Sequence, residues 1–179
     1  MTQYLAFLRG INVGGHSLIK MAALKEALEA DGFAAVKTYI QSGNVFVTTA
    51  ENDPLKVAKA VSASIKKHFS LDVKVVVFTK KQWKKVIDEA PKWWGTGEGW
   101  KHDIFILLPP YDMEEVMRTI GEPRAEIENI GSGAGVVYGS LVIKKFSGTR
   151  ISKIVGTPLY KQMTIRNFNT ANKILALFD

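Results

Sequence analysis

The chain has 179 residues, a formal net charge of +7 and no cysteine. That length suffices for one large domain or two small ones around real cores, and an apolar share of 46% excludes a disordered chain. The missing cysteine excludes disulfides, thiolate metal sites and a cysteine nucleophile, and no apolar run approaches the roughly 18 residues of a membrane span.

Tyr4–Leu8 is an apolar run that reads as a buried strand. Arg9 cuts it short and no basic region precedes it, which does not fit a signal peptide. Met21, Leu24, Ala27 and Leu28 recur at helical spacing, with Gly32 just past the charged end. Val36–Gln41 and Val45–Thr49 read as strands joined by a short turn at Ser42-Gly43-Asn44. Asp53 and Pro54 supply a helix cap and first position. Val57, Val61, Ile65 and Phe69 then form one apolar face, and Val73–Phe78 closes the series as a strand. The order β-α-β-β-α-β is the ferredoxin-like motif.

The second half partly repeats this order. Lys80–Ala90 is helical, and Pro91 ends it. A loop over 91–100 carries Trp93, Trp94 and Trp100. Ile104–Leu108 is a strand, Asp112–Ile120 an acidic helix, and Ala125–Ile130 and Val136–Ile143 are strands joined by a turn at Gly131–Gly135. Short and closing helices follow at Arg150–Leu159 and Asn169–Phe178. The expected fold class is therefore α+β. Its ferredoxin-like subdomain at 1–79 packs on a second βαββα subdomain at 80–179 with a C-terminal helix, and the whole makes one compact domain.

Five blocks carry a resemblance. They are Leu8-Arg9-Gly10-Ile11-Asn12-Val13-Gly14-Gly15, Met21-Ala22-Ala23-Leu24, Thr38-Tyr39-Ile40-Gln41-Ser42-Gly43-Asn44-Val45, Ser152-Lys153, and Arg166-Asn167-Phe168-Asn169-Thr170. Together they resemble a bacterial family, the domain of unknown function 1697. The resemblance implies an α+β fold with a ferredoxin-like N-terminal part and a set of motif positions. It implies no activity. This chain has Phe168 where the family more usually has Trp.

Charge is unevenly spread: +7 over residues 56–101, −4 over 110–130 and +6 over 131–179. Basic segments attract phosphates or nucleic acid, and the plainer account is a solvated lysine-rich surface. Within the first block, a Gly-rich turn between a strand and a helix can aim backbone N–H groups at an anion. The glycine spacing matches neither the Walker nor the dinucleotide fingerprint. Lys20 and His16 precede the helix start, where the helix dipole disfavours cations and a bound anion would relieve the conflict.

The contacts favoured for a phosphorylated small molecule or a nucleic-acid backbone are Arg9, Asn12, Gly14 and Gly15, with Lys153, Arg166 and Asn167 as second choices. The plainer account makes Asn12 and the glycines turn formers, Asn169 or Thr170 a helix cap, and Arg166 a bridge to the acidic helix. Ser42 and Asn44 are expected at the opposite end of the sheet from Arg9. The tryptophans among lysines suit single-strand stacking, but more often staple a loop to the core.

His16, His68 and His102 are scattered without metal spacing, so no metal and no cofactor are expected. Ser64-x-x-Lys67 lacks its companion motifs, and no residue pattern names a reaction. The leading expectation is a cytoplasmic, membrane-free binding module for an anionic ligand. An enzyme acting on a small anionic metabolite and a structural or interaction protein are the alternatives.

Overall fold

A computed structural model describes residues 1–15 and 17–178. The chain divides into two units. One runs over Met1–Trp83 and takes back the last residues from Leu177; the other is Lys84–Ala176. The division falls inside a helix rather than at a linker.

In the first unit the elements are β1 (Thr2–Leu8), α1 (Met21–Ala30), β2 (Ala34–Tyr39), β3 (Asn44–Thr49), α2 (Pro54–Phe69) and β4 (Val75–Thr79). The sheet order is β2-β3-β1-β4, with every neighbouring pair antiparallel. This is the ferredoxin-like arrangement expected from the element order. One face of the sheet carries Tyr4, Ala6, Leu8, Val45, Val47 and Val77. It packs on Leu24 and Leu28 of α1 and on Val57, Val61 and Ile65 of α2. Alternation puts Phe7, Phe46 and Phe78 on the other face, where Trp83 meets Phe7 and Phe78 and Phe178 meets Phe46. Helix α2 starts as its sequence dictates: Asp53 accepts a hydrogen bond from Leu55 N–H, and Pro54 occupies the first turn.

Helix α3 (Lys80–Asp88) leads into β5 (Trp100–Leu107), α4 (Met113–Ile120), β6 (Glu128–Gly133), β7 (Val136–Val142), α5 (Arg150–Ile154), β8 (Met163–Asn167) and α6 (Phe168–Leu175). The second sheet has the order β6-β7-β5-β8, again all antiparallel. With β5 as first strand, this is the same order as in the first unit.

The structure adds β8, a fourth strand that sequence reading does not separate from its neighbours. Its run Met163-Thr164-Ile165-Arg166-Asn167 is short and half polar. Its place comes from pairing along β5, Leu107↔Met163 to Asp103↔Asn167, and tertiary pairing of this kind overrides a weak local signal. The expected helix over Arg150–Leu159 ends at Ile154, before the 3-10 turn Tyr160–Gln162. The turn expected at Gly131–Gly135 is shorter, because β6 pairs through Gly133. The closing helix starts at Phe168 rather than Asn169, with Asn167 as its cap.

Sequence reading also missed the role of Glu128. Its side chain is fully buried, and its carboxylate accepts hydrogen bonds from the backbone N–H groups of Arg124 (3.1 Å), Arg150 (2.7 Å) and Ile151 (3.4 Å). The chain thus supplies its own anion to the start of α5, where unpaired N–H groups and the helix dipole favour negative charge. Hydrogen bonds to a charged group are worth about 1.5–3 kcal/mol each, and their loss leaves buried donors unpaired. Glu128→Ala should therefore cost about 3 kcal/mol, and Glu128→Gln less. Urea unfolding of the two variants measures both, and an unchanged midpoint for Glu128→Ala would refute the role.

At the C-terminal end of α1, Asp31 meets Lys67 Nζ at 2.6 Å and His68 Nε2 at 3.1 Å, both on the last turn of α2. The Lys67 ammonium, above all, lowers the Asp31 carboxyl from 3.8 to about 2. A folded-state pKa below the unfolded one gives stability that is complete above pH ~4 and is lost as pH falls toward 2. Melting temperatures of the native chain and Asp31→Asn should differ above pH ~4 and converge near pH 2. Parallel curves would count against the pairing.

Candidate functional site

The first-block loop leaves β1 at Leu8 and reaches α1 at Met21. Ile11 and Ile19 are almost fully buried and pin its two ends, while Val13, Gly14 and Gly15 are exposed between them. Gly10, Asn12, Gly14, Gly15 and Ser17 all have left-handed backbone (φ 52–80°), which favours glycine and, among other residues, asparagine. A Cβ on Gly15 would meet nothing within 4 Å. Backbone conformation, not crowding, therefore calls for glycine at that position.

Asn12 is the centre of the loop. Its Nδ2 donates to the carbonyls of Ile19 (3.0 Å) and Gln41 (2.9 Å), and its Oδ1 accepts from Ile19 N–H (2.8 Å). Its own N–H donates to Ser17 O (3.1 Å). The side chain closes the loop on itself and ties it to the β2–β3 hairpin.

That tie corrects the expectation that the hairpin and the loop lie at opposite ends of the sheet. Both β1 and β2 are antiparallel to β3, so they run in the same direction and finish at the same end. Leu8 N–H donates to Gly43 O (2.8 Å) across this junction. A Cβ on Gly43 would lie 2.8 Å from Leu8 Cβ and 3.0 Å from Ile11 Cγ1. The buried Asn44 closes the hairpin through Tyr39 O (3.0 Å) and Ser42 Oγ (3.1 Å). The first and third sequence blocks thus form one junction.

Arg9 follows β1 half-buried, with its N–H on Lys74 O at 3.0 Å. Lys20 takes the cap position of α1. No side-chain cap bond and no first-turn acid are found there. By contrast α2, α4 and α6 are capped by Asp53, Asp112 and Asn167. His16 lies outside the described residues.

The second-choice contacts all lie in the second unit, and the structure gives each a distinct setting. Lys153 is exposed on the last turn of α5. Its neighbour Ser152 bonds the carbonyls of Ser147 (3.2 Å) and Thr149 (2.9 Å). Arg166 is buried in β8. It donates to Thr164 Oγ1 (2.9 Å) and Ile165 O (2.7 Å), and burial lowers its guanidinium to about 10. Asn167 accepts from Thr170 N–H (2.8 Å) and caps α6, the role expected of Asn169 or Thr170.

Trp94 is stapled as the plainer account expects. Its indole N–H donates to Asp103 O (3.1 Å), and its ring meets Tyr138 and Phe168 edge-on. Phe168 also explains Gly95, where a Cβ would sit 2.2 Å from the phenyl ring. Tyr138 donates its hydroxyl to Val86 O, and burial pushes its pKa up to about 12.

His102 Nδ1 lies 2.6 Å from Ser140 Oγ. Burial lowers the imidazole pKa, and the Asp103 charge opposes this. Ser140 is fully buried, so the pair belongs to the sheet interior and presents no nucleophile. Among the described residues no group of acids and histidines is placed to hold a metal. Within the basic segment 56–101, Lys56, Lys66, Lys67, Lys84, Lys85 and Lys101 each face a carboxylate. Asp72, Asp88 and Glu89 already count in the segment's +7, whereas Glu51, Asp31 and Asp103 lie outside it and offset Lys56, Lys67 and Lys101.

The sequence pattern of the proteins of unknown function DUF1697 matches residues 1–138. The chain belongs to this family. The match contains the whole loop and hairpin junction, while Ser152-Lys153 and Arg166–Thr170 lie beyond it. The chain is also similar to a solved structure of the conserved bacterial protein SP0830 from Streptococcus pneumoniae. Identity is 26% and the TM-score 0.84, over 98% of this chain and 97% of that one. No match was found among the curated proteins. No helix among the described residues is long and apolar enough to cross a membrane.

Asn12→Ala removes three side-chain hydrogen bonds worth about 1 kcal/mol each and puts alanine into left-handed backbone. It should cost about 3–4 kcal/mol in urea unfolding. A loss under about 1 kcal/mol would show that the loop and hairpin do not depend on this amide.

Proposed function

We propose that this protein is a binding module for a phosphorylated or otherwise anionic ligand, held at the loop between β1 and α1. The observation that carries the reading is the uncapped start of α1. Its first turn has neither a capping side chain nor an acid, and Lys20 stands where a helix dipole disfavours a cation. An anion there would accept the first-turn N–H groups and relieve the Lys20 charge. Arg9 supplies a second cation from the end of β1. Gly14 and Gly15 let a ligand approach the backbone without a Cβ in the way. Asn12 acts as the brace that holds the loop in shape, not as a contact. Lys153, Arg166 and Asn167 are not needed for this reading.

A nucleotide or sugar phosphate fits this small loop better than a nucleic-acid backbone, because so many lysines of the basic segment already face carboxylates. A second reading, an interaction protein, draws on Val13 and Leu18. These apolar side chains are 63% and 72% exposed on the same loop.

The test is a thermal-shift series with inorganic phosphate, nucleotides and sugar phosphates on the native chain, Arg9→Ala and Lys20→Ser. A ligand at about 100 times its dissociation constant stabilises by about 2.7 kcal/mol. That shift should appear in the native chain and shrink in Arg9→Ala. Without ligand, Lys20→Ser should gain about 1 kcal/mol, since serine caps the first turn. A native chain that no anion stabilises would overturn the proposal and favour the interaction reading.

A further inference from the structure

A cleft in the second unit is independent of the loop just described. It has a volume of about 580 Å³ and lies between the first turns of α4 and the Thr157–Gln162 segment before β8. Val116, Leu159 and Pro158 give it an apolar floor, and Tyr111, Glu115, Thr119 and Gln162 give it polar walls.

The sign of the cleft is opposite to that of the chain. Its two charged lining residues, Asp112 and Glu115, are both acids, and no lysine or arginine lines it, although the whole protein carries +7. Asp112 spends Oδ1 on the N–H groups of Glu114 and Glu115 as the α4 cap, which leaves Oδ2 uncommitted. Among the described residues, the side chains of Tyr111, Glu115, Thr119 and Gln162 have no hydrogen-bond or ion-pair partner within the protein. The α4 dipole offsets this charge by only about half a unit, against the full charges of the two lining acids, Asp112 and Glu115. The cleft therefore remains negative.

We infer that this cleft binds a small organic cation, an ammonium group on an apolar stem. The ammonium meets the Glu115 carboxylate, with the Asp112 Oδ2 beside it, in charge-assisted hydrogen bonds. Tyr111, 41% exposed, adds its ring face as a cation–π partner. The stem lies on Val116, Leu159 and Pro158, as amphipathic amines lie on apolar surface. A phosphorylated ligand is excluded from this cleft by the same carboxylates that attract the amine.

The probes are pentane-1,5-diamine, its neutral isostere 1-pentanol, and a doubly blocked lysine (N-acetyl-lysine methylamide), each titrated into the full chain and followed by amide NMR. The diamine should give saturable shifts at Tyr111, Glu115 and Thr119, and the alcohol should not. Glu115→Gln should weaken binding at least tenfold, about 1.4 kcal/mol, and Thr119→Arg should abolish it. Both positions are exposed, so an unchanged melting temperature shows that each variant is folded. Tighter binding of the blocked lysine than of the diamine assigns the cation to a peptide side chain, and the reverse order assigns it to a free amine. No saturable shift with either amine, or equal binding by native chain and Glu115→Gln, overturns the proposal. Neither result bears on anion binding at the β1–α1 loop.

Discussion

The direction of one strand pair governs the first unit. A helical crossover from β1 to β2 makes the two strands run the same way, with β3 antiparallel between them. Both strands then deliver their C-terminal ends to one edge of the sheet. The loop after β1 and the hairpin after β2 have no choice but to meet. Asn12 is the side chain that makes use of this meeting, since it can donate twice and accept once from a single position. The left-handed backbone around it, costly for most residues, is held by those bonds and by the burial of Ile11 and Ile19. Each such burial is worth about 2 kcal/mol. Two sequence blocks that lie some 30 residues apart are thus parts of one object.

The second unit uses the same strand order with different polar fixtures. Where the first unit braces a loop with a neutral amide, the second braces α5 with a buried carboxylate. Glu128 is fully enclosed, yet it faces backbone N–H groups at the start of a helix, which makes its burial tolerable. Arg166 is the buried cation of the same unit, and desolvation shows in its lowered pKa. Both residues are charged, and both serve the fold through backbone and hydroxyl groups. A charged side chain is therefore not by itself a ligand contact. Position in the sheet decides which charges reach solvent.

The two candidate sites follow from what remains after those internal debts are met. In the first unit, the start of α1 has donors without a capping side chain. In the second, the cleft beside α4 is lined by two carboxylates and by no lysine or arginine. Their opposite signs suit different chemistry, and they depend on different local features. Belonging to a family of unknown function leaves both open, because the architecture hosts many chemistries and activity resides in the site.

The sequence alone determined the local elements wherever a strong signal was present. Apolar runs marked β1 and β4, alternation marked β2, a spacing of four marked α2, and Asp53-Pro54 marked a helix start. These signals act within a few residues, so they can be read from neighbours in the chain. The first block was legible as a Gly-rich turn for the same reason. What the sequence did not determine is partnership. β8 is a strand because β5 offers it a ladder, Glu128 is a cap because β6 carries it to α5, and Asn12 reaches Gln41 because two strands share a direction. The cleft beside α4 likewise joins residues some 45 positions apart. Each of these depends on contacts between distant segments, and only the tertiary structure brings them together.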